Sequence, residues 1–152
     1  MRITQSIIVP TLAIFGAAAA DVIANNNCIV ISDNSLVMHE RQPDQEFPHY
    51  VYMKPKGDED KDQQWILEST DGKYYKLKNK SSERYLGSGT FDYFLTVAGT
   101  NSDPDQYMFT ADETGKYDIS SKENGHLRSR GSNYGVMKDG DQHFFTVENC
   151  KN

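Results

Sequence analysis

Three of the four Asp-Gln dipeptides in this chain, Asp62-Gln63, Asp105-Gln106 and Asp141-Gln142, mark a repeat. The intervals are about 40 residues, the period of a repeated supersecondary unit. Each dipeptide opens a similar string, and two positions after the Gln stands a large apolar residue: Trp65, Met108 and Phe144. An aromatic stretch precedes each: Tyr50-Val51-Tyr52-Met53, Tyr93-Phe94-Leu95-Thr96 and Tyr134-Gly135-Val136-Met137. Downstream, Gly72-Lys73-Tyr74 and Gly115-Lys116-Tyr117 each lead into a strand-like run, a polar turn and a second run. The chain is three copies of one unit, roughly 28–68, 69–111 and 112–150.

Inside a unit, β-branched and aromatic runs alternate with Gly, Asn, Asp, Ser and Pro clusters, the pattern of short strands and tight turns. Asp71-Gly72, Asn124-Gly125 and Asp139-Gly140 are turn signals. No helical stripe of useful length follows the first residues. Three such units, each able to bury its strand faces only against the other two, predict an all-β fold, a β-trefoil with pseudo-three-fold repetition. A sandwich would suit the strand spacing but gives no reason for three copies.

The two cysteines, Cys28 and Cys150, stand at opposite ends of the repeated region. In an oxidising compartment they are expected to pair. Such a bridge closes about 120 residues and contributes on the order of 4–5 kcal/mol in the chain-entropy account. It also requires the two Cα atoms to lie within about 7 Å, so the first and last strands must be neighbours.

An oxidising destination agrees with the start of the chain. Met1-Arg2 is basic, Ile7 to Phe15 is apolar, and Ala17 to Ala20 are small. This reads as a secretory signal peptide over 1–20, with a second acceptable cut after Ala24, leaving a mature domain that ends at 152. The apolar stretch contains Pro10 and is shorter than the roughly 20 residues a spanning helix needs, so no membrane insertion is expected. The net charge is −6, and loss of Arg2 with the leader makes it more negative. No basic stripe offers itself to phosphate, so nucleic acid is not an expected partner.

Gln63-Gln64-Trp65 looks like the Gln-x-Trp signature of ricin B-chain-like lectins. The stretch from Tyr75-Lys76-Leu77-Lys78-Asn79 to Tyr85-Leu86 is similar to that family's Tyr-x-Ile-x-Asn strand–turn–strand. The resemblance runs over residues 28–150. It implies that Trp65, Met108 and Phe144 are structural core, that the signature Gln bonds backbone near the turn, and that sugar is held by an Asp just after the second strand of a unit. That Asp is missing. Gly87 and Arg128 stand at the matching positions, and His39 and Glu40 are nearest in the first copy.

Two readings of function follow. In the first the chain is a secreted carbohydrate-binding, lectin-like protein. Its candidate ligand residues are Asp62, Gln63 and Tyr50, then Asp105, Gln106 and Tyr93, then Asp141, Gln142 and Tyr134: an acid and a ring that could share a shallow pocket in each copy. Alternatively, each Asp ends a tight turn and the tyrosines pack against one another. In the second reading the chain is a secreted ligand of another protein, such as an inhibitor or effector acting on a host protein through its loops. Residues 41–49 and the acidic loop 57–62, expected to be solvated, are the candidates. No enzyme is expected. His39, His49, His126 and His143 lack metal-ligand spacing, and there is no nucleophile elbow and no phosphate-cradling glycine loop. Neither cofactor nor metal is expected. Asn79-Lys80-Ser81 is a candidate glycosylation sequon.

Overall fold

A computed structural model describes residues 21–40, 49–57, 60–89, 92–98, 104–132 and 134–151. The expected leader, 1–20, and most of the candidate loop 41–49 lie outside them. Twelve strands occur among the described residues: β1 (Cys28–Asp33), β2 (Leu36–Glu40), β3 (Val51–Pro55), β4 (Trp65–Ser69), β5 (Tyr75–Asn79), β6 (Tyr85–Ser88), β7 (Phe94–Val97), β8 (Tyr107–Ala111), β9 (Tyr117–Ser121), β10 (Gly125–Arg128), β11 (Met137–Asp139) and β12 (Phe144–Asn149). A single 3-10 turn, Lys61–Gln63, accompanies them. No described helix is long and apolar enough to cross a membrane.

The pairing closes a ring. β1 pairs with β4, β4 with β5, β5 with β8, β8 with β9, β9 with β12, and β12 returns to β1. Three hairpins, β2–β3, β6–β7 and β10–β11, cover one end. Closure leaves the six-stranded ring without a free edge. This is the β-trefoil. Cys28 and Cys150 form a disulfide with their Cα atoms 5.4 Å apart, and Ile29 faces Asn149 across the β1–β12 ladder.

Equivalent strand positions fill the core in threes. Ile31, Leu77 and Ile119 are fully buried, as are Met38, Leu86 and Leu127. Under the hairpins lie Val51, Phe94 and Val136, also fully buried and joined by hydrogen bonds from Phe94 N to Val136 O and from Val136 N to Val51 O. Glu40, buried at the end of β2, accepts bonds from the hydroxyls of Ser82 and Thr96 and so ties two units together. A buried carboxylate needs such donors.

The register of the aromatic layer differs from the spacing of the Asp-Gln dipeptides. Trp65, Tyr107 and Phe145 are fully buried, whereas Met108 and Phe144 are half-buried and outside the core. The ladders show why. Trp65 faces Ile29, Tyr107 faces Tyr75 and Phe145 faces Tyr117, each at the same point of its unit. The loop after Asp-Gln is one residue shorter in the second unit than in the first, and one longer in the third. In a strand, one residue exchanges the two faces, so alignment on Asp-Gln selects the wrong side chain twice. Trp65 also donates its indole N–H to Met38 O at 3.2 Å, which satisfies the one polar atom that it buries.

The hairpin layer carries a second offset of one. Isolated bridges join Tyr50 to Leu95, Tyr93 to Met137 and Tyr52 to Gly135. Gly135, not Tyr134, therefore stands where Tyr50 and Tyr93 stand in the other units. The ring of Tyr93 lies so close over Gly135 that a Cβ there would be 2.5 Å from Cδ1. Tyr134 points away, 62% exposed.

Candidate functional site

Beside the buried Met38, on β2, the next residue is His39. It faces Tyr52 across the β2–β3 ladder, with the two rings edge to face at 5.4 Å. The 3-10 turn brings two acids to the same place. Asp60 caps that turn, accepting the backbone N–H of Asp62 on Oδ1 at 2.9 Å. Its other oxygen, Oδ2, is 3.7 Å from Nδ1 of His39. One donor atom each from His39, Asp60 and Asp62 lies within 4.8 Å of the others. Nδ1 of His39 and Oδ1 of Asp62 are both buried and lack a hydrogen-bond partner. The acidic loop expected to be wholly solvated is thus partly built into the molecule (Asp58 and Glu59 lie outside the described residues). Burial lowers the pKa of His39 below the usual imidazole value, against the pull of Asp60 and Asp62.

The turn is braced from both sides. Gln63, buried, donates Nε2 to Pro55 O and accepts from Gly57 N, each at 2.9 Å. Asn79 donates Nδ2 to Asp62 O at 2.9 Å, and its Oδ1 accepts from the N–H groups of Ser81 and Ser82. The sequon asparagine is therefore fully buried and its amide is engaged on both sides. Gln63 is likewise a brace with both ends of its amide spent.

In the second unit one oxygen of the corresponding acid is fully engaged. Asp105 Oδ2 accepts from Ser88 Oγ and Ser121 Oγ at 3.1 Å and from Asn124 Nδ2 at 2.9 Å. Gln106 accepts from Thr70 Oγ1 at 3.0 Å. A shallow cleft of about 230 Å³ adjoins them, lined also by Lys76 and Lys122. In the third unit Arg128 occupies the position of His39 and donates to Asp139 Oδ2 at 3.0 Å. Asp139 also accepts from the Asp141 N–H, and that bond, with Arg128, holds its carboxyl below the ordinary range. Asp141 and Gln142 are exposed. Tyr50 and Tyr93 meet edge to face at 6.0 Å within the hairpin layer. Among the described residues the structure thus gathers one three-residue constellation, His39 with Asp60 and Asp62. Of these, Asp62 alone was among the residues expected from sequence.

No family model matches the chain. A protein of Simulium vittatum, the erythema protein SVEP, is 68% identical to it over 151 residues, 99% of each chain. The chain belongs to the erythema protein family. Solved structures show the fold that this erythema-family chain shares with distant proteins. A Polyporus squamosus lectin, solved with the epitope Neu5Aca2-6Galb1-4GlcNAc, superposes with a TM-score of 0.63 at 12% identity, covering 83% of this chain and 50% of the lectin. The BEL β-trefoil gives 0.64 at 17% identity, over 84% and 95%. A salivary protein of Culex quinquefasciatus, of the cysteine- and tryptophan-rich family, gives 0.59 at 20% identity, over 85% and 96%. The erythema-family chain spans half of the Polyporus lectin and nearly all of the other two.

Proposed function

We propose that this chain is a secreted, non-catalytic binding protein that acts on host tissue and provokes erythema. The observation that carries the reading is the identity to the Simulium vittatum erythema protein, which extends over 99% of both chains and so includes every loop. The salivary β-trefoil from Culex supports the same setting. Both cysteines are spent in the disulfide, which suits an oxidising compartment and leaves no thiol nucleophile. The leader is proposed to end at Ala20. Val22 and Ile23 pack against the core, and a cut after Ala24 would remove them. Intradermal injection of the mature protein tests the main reading: local reddening is expected, and skin that stays pale at doses active for the Simulium protein overturns it.

A finer reading is that the bound partner is a glycan, taken at one place in the first unit. Asp62 favours it, because it is one of the acids expected to meet a ligand and its buried Oδ1 has no hydrogen-bond partner. Asp105 is already satisfied, and Arg128 replaces the missing pocket acid in the third unit. A glycan array of the wild type beside Asp62→Ala tests this. Binding lost in the variant is expected, and no binding by the wild type ends the glycan reading in favour of a host protein as partner.

A further inference from the structure

We propose that His39, Asp60 and Asp62 form a binding site for a first-row transition-metal dication of the zinc type. The site goes beyond the binding reading above and stands whether or not a glycan binds.

Geometry carries the inference. One nitrogen and two carboxylate oxygens converge from two elements, a strand and a capped turn, with their donor atoms within 4.8 Å of one another. Tetrahedral ligands at about 2.0–2.2 Å from a shared ion stand roughly 3.3–3.6 Å apart, so the widest-spaced pair must close by about 1 Å. The groups are not satisfied by each other. At 3.7 Å, His39 Nδ1 and Asp60 Oδ2 are too far apart for a hydrogen bond. Nδ1 of His39 and Oδ1 of Asp62 are enclosed and unpartnered, although His39 exposes only 12% of its side chain. Buried polar atoms left unpaired are available to a ligand, and an ion between them would engage both.

The surroundings hold the ligands in place. Asp60 is oriented by the Asp62 N–H, the Asp62 backbone by Asn79, and the His39 ring by the edge of Tyr52. Metal ligands are commonly fixed in this way by groups one step further out. The donor set chooses the ion. An imidazole nitrogen with two carboxylates suits Zn2+, Mn2+ or Co2+, whereas Ca2+ and Mg2+ favour all-oxygen sites. Three protein ligands leave a fourth position for an outside donor, such as a hydroxyl or carboxylate of a bound partner. Metal-ligand motifs rest on close spacing along the chain. His39 and the acid pair sit on separate elements, which is why such spacing does not reveal them.

The test is calorimetric titration of the tag-free mature protein, stripped with chelator, using ZnCl2, with CaCl2 and MgCl2 alongside. One equivalent of Zn2+ is expected to bind, with no comparable uptake of Ca2+ or Mg2+. His39→Gln and the isosteric Asp62→Asn should each weaken Zn2+ at least tenfold while the far-UV spectrum is unchanged. His143→Gln, in a separate His–Asp pair with Asp33, should leave binding intact. Co2+ substitution should give a visible absorption band that Asp62→Asn abolishes. Absence of stoichiometric Zn2+ binding, or binding that survives both variants, overturns the site; that result leaves the erythema and glycan assays unaffected, so the two readings fail separately.

Discussion

The core of the ring and the residues next to it obey different rules. At Ile31, Leu77 and Ile119, or at Met38, Leu86 and Leu127, the three units are chemically interchangeable. One residue further along the second strand they read His39, Gly87 and Arg128, which share nothing. The interior must be filled from three sides to uniform density, so each unit is held to similar volumes there. The rim positions pair across the hairpins instead of filling that interior and have no such constraint. A three-fold frame therefore carries three unrelated surfaces, and the first brings the unpartnered atoms of His39 and Asp62 together.

The largest test of this contrast concerns the core. Trp65→Ala should lower unfolding free energy by about 3–5 kcal/mol, and Met108→Ala by about 1 kcal/mol or less, in urea titrations. Equal losses would mean that Met108 belongs to the core after all. Replacing both Cys28 and Cys150 by Ser should cost about 2–5 kcal/mol, read as a shifted denaturation midpoint. Asn79→Ala should cost about 1–3 kcal/mol, because it frees the Asp62 carbonyl and two turn amides in a buried place. The same burial predicts that protein secreted from eukaryotic cells shows no change of mobility on treatment with an N-glycan-cleaving enzyme.

At the rim the expected effects are smaller and differ in kind. Asp105→Ala breaks three hydrogen bonds and should cost about 1–2 kcal/mol. Asp62→Ala removes an oxygen that has no partner, so stability should change by less than about 0.5 kcal/mol while binding is lost. Smallest is the pH effect at Glu68. Burial alone would raise its pKa, but hydrogen bonds from Tyr85 and Lys78 outweigh that and hold it below the usual value. A depressed folded pKa means that its stabilisation is present above the ordinary carboxylate range and fades as pH falls through the folded value. Glu68→Gln should therefore flatten the acid side of the stability curve, measured as melting temperature against pH.

Sequence alone revealed the architecture because a threefold period and two end-placed cysteines leave few arrangements. It located Trp65 but missed Tyr107 and Phe145, since loops that differ by one residue change the face without disturbing the visible motif. Alternation was the signal available: Tyr107 and Phe109 lie on one side of β8, and Phe145 and Val147 on one side of β12. Gly135 hid for the same reason behind Tyr134. Asp62 was legible as a candidate, whereas its partnership with His39 depends on how β2 and the capped turn meet. No local spacing contains that information.

Cys28 and Cys150 make the polypeptide between them a covalent loop. A tissue protease that severs one surface connection in that loop cannot release a fragment. Both pieces stay tethered through β1 and β12, already side by side, and the nicked molecule can keep its shape where an open chain would come apart.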